Sequence, residues 1–174
     1  MSRHLLLALV LTAAGAAGAT AGGMLDGGED AARGPADATD APAGRVVKVV
    51  DGDTIHVQIA ATREKVRYIG VDTPETKHPS KGVQCFGEEA ARFNARLVDG
   101  ELVRLVRDVE ERDRYGRLLA YVYRVRDGLF VNAELARLGY AQPLAIAPDV
   151  RFADHLEALA RQARERGRGL WAAC

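Results

Sequence analysis

The chain has 174 residues, 48% of them hydrophobic, and its 24 basic groups balance 24 acidic ones. That is enough for one ordinary domain with a real core, and too little net charge to name a polyanionic partner. The balance hides an asymmetry: residues 1–44 carry two basic and five acidic groups, leaving 22 basic against 19 acidic, a net of +3, in 45–174. Twenty of the basic residues are Arg and four are Lys. Arg suits bidentate phosphate contacts, although a general bias toward Arg and Ala gives the same count.

Residues 1–21 read as an export signal: Arg3 and His4, an apolar run from Leu5 to Leu11, then small residues that fit an Ala-x-Ala cleavage site. The alternative is an uncleaved membrane anchor, because the uncharged run extends to Leu25. Residues 22–44 are rich in Gly, Ala, Asp and Pro, without periodicity, and are expected to form a tether ahead of a domain spanning 45–174.

Arg45–Val50 is β-branched and runs into Asp51-Gly52-Asp53, a tight-turn signal. Thr54–Ala60 alternates, with Ile55, Val57 and Ile59 on one face and His56 on the solvated one. A second turn near 61–64 leads into a third strand, Lys65–Val71. Asp72–Gly87 is loop, punctuated by Pro74, Pro79 and Gly82, and Glu88–Val98 has helical period and stops at Asp99-Gly100. Leu102–Val109 and Leu118–Val125 are further strands flanking a polar turn, 110–117. Leu129–Leu138 is a short helix, 141–150 is irregular, and Phe152–Arg166 is a long helix before Gly167, Gly169 and Trp171. The order β-β-β-α-β-β-α-α fits an α+β domain: a five-stranded Greek-key barrel with three helices.

Asp53 opens the second strand and Asp72 closes the third, so a meander sets both carboxylates at one end of the sheet. Two carboxylates at close range repel unless a cation joins them, and hard oxygen donors point to Ca²⁺ or Mg²⁺. Glu75 lies just past Pro74, as a third ligand or a general base acting through water. Arg67 shares a strand face with Ile69 and Val71, where a charge needs a partner: either a structural ion pair or a bound phosphate. Arg117 follows Tyr115-Gly116 on a turn able to approach a ligand. A cation, a Glu and two Arg suit phosphodiester hydrolysis, in which negative charge grows on the phosphorane.

Three motifs in order, Asp51-Gly-Asp-Thr54, Arg67 with Val71-Asp-Thr-Pro-Glu-Thr-Lys-His-Pro79, and Asp113-Arg-Tyr-Gly-Arg117, together with the closing Gly-Leu-Trp171, resemble the staphylococcal nuclease family over residues 45–171. The resemblance implies an OB-fold nuclease that uses Ca²⁺ and cleaves DNA and RNA, preferably single-stranded or denatured, to 3′-phosphate products. It implies Asp53 and Asp72 as metal carboxylates with the Thr73 carbonyl beside them, and Arg67, Glu75 and Arg117 as catalytic groups. Arg114 and Tyr115 fall at substrate-contacting positions, Arg114 replacing a Lys. One departure stands out: Ala145–Ala147 lacks the tyrosines that the family's best-known member has there, so weaker or less base-selective binding of short substrates is expected.

Export makes Cys85 and Cys174 an even pair in an oxidising compartment, where a disulfide is expected and two free thiols are the alternative. A secreted monomer is the default state. A non-catalytic nucleic-acid-binding module on the same fold is the competing reading, and an exported Ca²⁺-binding scaffold a third.

Overall fold

The computed structural model describes residues 41–76, 82 and 84–174. The expected signal segment 1–21, residues 22–40 of the tether and the Lys77-His78-Pro79 part of the family motif lie outside the described residues.

Five strands close a barrel. The β-branched start of the domain gives the meander β1 (Ala43–Val49), β2 (Thr54–Ile59) and β3 (Thr62–Tyr68), antiparallel throughout. Its alternation sends Val46, Ile55, Val57 and Val66 inward, where each is almost fully buried. Each such side chain contributes about 1.5–3 kcal/mol relative to exposure. After α1 (Gly87–Val98), β5 (Leu102–Val106) and β6 (Leu118–Arg124) form an antiparallel pair; β5 closes on β1, and β6 runs parallel to β3. β1 opens at Ala43, two residues inside the expected tether, because Ala43 and Gly44 pair with Arg104 and Val103.

The expected third strand is two strands. β3 ends at Tyr68, the chain turns at Ile69-Gly70, and β4 (Gly70–Asp72) pairs with β7 (Gln142–Leu144), inside the segment expected to be irregular. Gly70 makes the break possible: its φ is +78°, and the side chain of Leu156 occupies the space where a Cβ would stand. The Ile69 carbonyl, taken out of the ladder, accepts from buried Asn132 Nδ2 at 2.8 Å. Asn132 belongs to α2 (Val131–Arg137), which packs with α3 (Ala153–Glu165) where Tyr121, Phe130, Leu135 and Leu156 extend the same buried core. A fourth, one-turn helix α4 (Leu170–Ala173) follows the three expected ones. Cys85 and Cys174 are disulfide-bonded, as the cysteine count suggests.

Candidate active site

The Asp51-Gly52-Asp53 turn is packed from two sides. Gly52 is buried, and a Cβ there would meet the Thr73 side chain at 2.6–2.7 Å, so only glycine lets the turn close on Thr73. From α1, fully buried Asn94 donates to the Asp51 carbonyl at 3.0 Å and accepts from Tyr68 Oη at 3.0 Å, tying helix, turn and strand together. Asn94 sits on the apolar stripe of its helix, and a buried amide there is the signal that could have marked it.

Asp53 is 5% exposed, and its carboxylate is heavily engaged. Oδ2 accepts from the Thr73 amide at 2.7 Å and Thr73 Oγ1 at 2.9 Å, and Oδ1 accepts from Thr54 Oγ1 at 3.1 Å. Arg67 reaches both acids: its Nη1 lies 3.2 Å from Asp53 Oδ2 and its Nη2 2.7 Å from Asp72 Oδ1. The same guanidinium donates to the Tyr68 and Val71 carbonyls, which pins it across the Ile69-Gly70 break. Arg67 is therefore a structural ion pair, one of the two options its sequence position left open, and its guanidinium also lines the cleft.

A cleft of about 290 Å³ is lined by Asp51, Asp53, Arg67, Asp72, Glu75 and Arg117, with Thr54, Thr73 and Gln84 completing its wall. Burial pushes the Asp51 carboxyl up to about 6, with Asp53 and Glu75 adding to the push. Burial likewise raises Asp72; Arg67 opposes the rise, and Asp53 and Glu75 add to it. Both shifts come from burial first, with the neighbouring carboxylates adding to it in a half-enclosed space. Among the described residues, no three His, Cys, Asp or Glu side chains gather closely enough to hold a metal ion as they stand, and Arg67 occupies an oxygen of both Asp53 and Asp72. The donor set is nonetheless that of a hard cation: carboxylate, hydroxyl and carbonyl oxygen, with neither imidazole nor thiolate in the wall.

Glu75 is held by its backbone. Its amide donates to Gln84 Oε1 at 2.9 Å, and its carbonyl accepts from the Gln84 amide at 2.9 Å. Gln84 adjoins Cys85, so the disulfide to Cys174 anchors the residue that brackets Glu75. Gly87 completes the bracket: a Cβ there would stand 3.0 Å from the Pro74 and Glu75 carbonyls. Gln84 carries no sequence signal of its own, because its partner is set by how the loop folds back.

Arg117 enters from the turn before β6. Asp113 organises that turn, accepting from the amides of Tyr115 (2.9 Å) and Arg117 (3.0 Å) and from Arg117 Nε (2.6 Å). Burial pushes the Asp113 carboxyl up, but Arg117 and these amides outweigh it and hold it below its ordinary value. Arg114 Nη2 donates to Tyr115 Oη at 2.7 Å, and the Arg114 and Arg117 guanidinium groups lie 4.8 and 5.5 Å from the Tyr115 ring centre. A second cavity of about 480 Å³ shares Arg67 and Arg117 with the first and is walled by Tyr115, Leu119, Leu144 and Ile146. All eight non-cysteine residues singled out in the sequence thus line one of two adjoining cavities.

The staphylococcal nuclease homologue family model matches residues 65–173. The chain belongs to the staphylococcal nuclease family. It is 39% identical over 127 residues to a thermonuclease of Staphylococcus hyicus, covering 73% of this chain and 74% of that one. A thermonuclease of Staphylococcus intermedius is 38% identical over 126 residues, 72% and 74% of the two chains. Endonuclease YncB of Bacillus subtilis is also 38% identical over 126 residues, 71% of this chain and 59% of its own. The staphylococcal nuclease match runs from Lys65 to Ala173 and so takes in every site residue named above except those of the Asp51–Thr54 turn and Cys174.

Proposed function

We propose that this protein is an exported, monomeric, Ca²⁺-dependent endonuclease that hydrolyses DNA and RNA, favouring single-stranded or denatured polymer and leaving 3′-phosphate ends. Its place among the hydrolases, as an endonuclease-type phosphodiesterase, rests on its family. One observation carries the site assignment: Arg67 of β3 and Arg117 ahead of β6 both line the cleft that holds Asp53, Asp72 and Glu75.

Asp53, Asp72 and the Thr73 carbonyl would hold the ion. Bound Ca²⁺ would supply positive charge against a phosphate oxygen and relieve the repulsion among the carboxylates. The phosphodiester lies across the cleft with its non-bridging oxygens toward the guanidinium groups of Arg67 and Arg117. Glu75 accepts a hydrogen bond from a water molecule, orients it in line with the scissile bond and takes its proton as the water oxygen bonds to phosphorus. The phosphorus–5′-oxygen bond breaks, the 5′-oxygen takes up a proton, and the phosphate stays on the 3′ side. Both arginines donate most strongly when the phosphorane carries its extra charge, so their binding energy falls on the transition state. The adjoining cavity takes a neighbouring nucleotide, its base against Tyr115, Leu144 and Ile146 and its phosphate near Arg114.

The test is incubation of the purified protein with denatured DNA and RNA in Ca²⁺, followed by addition of a chelator. Ca²⁺-dependent loss of polymer that stops on chelation is expected. Polymer that is bound but not shortened would leave a non-catalytic binding module in its place.

A further inference from the structure

The outer face of the meander carries a row of cations of which this chemistry uses only Arg67. Pleat parity puts Arg67, Lys65 and Arg63 on one face of β3. The strand register sets His56 between Lys48 and Lys65, and Gln58 between Arg45 and Arg63. These positions include no carboxylate; Glu64 alternates to the other side and is taken by Arg112 at 2.9 Å. Lys48, Arg63 and Lys65 are exposed, and none makes an ion pair with another described residue, whereas Arg92, Arg112, Arg117, Arg124 and Arg137 all do.

Like charges set across neighbouring strands are unfavourable, and the row shows it. Burial first, then Arg63, Lys65 and Lys48, hold the His56 imidazole below its ordinary value. A bound polyanion would remove that penalty. The row is also continuous with the site, because its last member, Arg67, lines the cleft. Two residues of strand advance about 6.6 Å, so Lys65 and Arg63 follow Arg67 at intervals of that order. No Phe, Tyr or Trp side chain interrupts these positions and His56 is the one ring among them, so the face offers mainly charge to a phosphate backbone and little platform for stacking.

We propose that this face is the track for the single nucleic-acid strand beyond the cleaved linkage, with Lys65, Arg63 and Lys48 contacting the phosphates that follow the one at Arg67. The proposal rests on the nuclease reading above. It makes the grip on long substrate electrostatic and independent of sequence.

The test compares the wild type with a Lys48→Ala/Arg63→Ala/Lys65→Ala variant on a 20-nucleotide and a 4-nucleotide single strand over a range of salt concentrations. A control variant, Arg92→Ala/Arg161→Ala/Arg166→Ala, removes the same charge elsewhere, and circular dichroism and thermal melting establish that both are folded. On the 20-mer the track variant should show KM raised by about tenfold or more, and a log KM against log salt slope smaller by about 2, near 0.7 for each phosphate that is no longer neutralised. On the 4-mer its kcat and KM should match the wild type. Unchanged KM and slope on the 20-mer, or an equal effect from the control variant, overturns the track. So does a face that binds anionic vesicles while the 20-mer KM is unmoved. Wild-type protein that cleaves neither strand overturns the nuclease reading itself, a separate outcome.

Discussion

Arg67 Nη2 lies 2.7 Å from Asp72 Oδ1, an ion pair between a nearly buried guanidinium and a carboxylate that is 58% exposed. Nη1 of the same group stands 3.2 Å from Asp53, so a single side chain pairs with both acids proposed to hold the metal and leaves one negative charge between them uncompensated. A metal ion held by Asp53 and Asp72 would compete with Arg67 for those oxygens and would leave its guanidinium available to a phosphate. Arg67→Ala should therefore lower kcat by roughly 10²–10³, the scale for removing one transition-state donor. Calorimetry should find its Ca²⁺ affinity equal to or tighter than that of the wild type. Weaker Ca²⁺ binding would show that the guanidinium aligns the acids and does not compete for them.

Asp113 gives a pH-dependent prediction. Its folded-state carboxyl lies below the ordinary value, so its contribution to stability is full above the unfolded pKa and is lost as pH falls through the folded one. The melting temperature of Asp113→Asn should fall below that of the wild type at pH 7, and the gap should close below about pH 4. Slackening the turn also frees Arg117, so kcat should drop at neutral pH by roughly tenfold or more. An Asp113→Asn variant with wild-type kcat would separate the turn from the chemistry.

The disulfide and Gln84 should be separable. Cys174→Ser removes a crosslink between residues 89 apart in sequence and should cost about 2–4 kcal/mol in denaturant titration. Gln84→Ala keeps the crosslink but loses the acceptor of the Glu75 amide. It should lower kcat by roughly tenfold while KM and the melting temperature barely move. An altered KM with unaltered kcat would place Gln84 in substrate binding.

Ile146 is 63% exposed and lines the larger cavity with Tyr115. An aliphatic side chain there offers contact but no π-face. Ile146→Tyr should tighten binding of short oligonucleotides by about 1–3 kcal/mol, the range for one stacked base, with little change on long polymer. Unchanged affinity for a dinucleotide would mean that the base does not reach this wall.

What the sequence displayed best were residues whose roles are local. Asp53 announces a turn, Arg67 breaks an apolar strand, and Asp113–Arg117 forms a self-contained loop, so type and spacing mark each of them. Features made by distant partners were hidden. The break at Ile69-Gly70 depends on Asn132 and Leu156, 62 or more positions away, and nothing within Lys65–Val71 except Gly70 hints at it. β7 was invisible because a three-residue strand containing Pro143 has no period of its own and exists only against β4. Asn94 and Gln84 escaped for the same reason, as each acts by satisfying a backbone group brought from elsewhere in the fold.

The parallel pairing of β3 with β6 sets Arg67 beside Leu119, two residues after Arg117. The spacing of the two arginines is thus counted out in rungs of backbone hydrogen bonds. Register changes only in whole steps, and a single step would turn every side chain of the strand to the opposite face. Substitutions in the surrounding core can shift such a site by fractions of an ångström, but they cannot gradually draw its two cations apart. The apolar residues around it can therefore be exchanged while two guanidinium groups stay at one cleft.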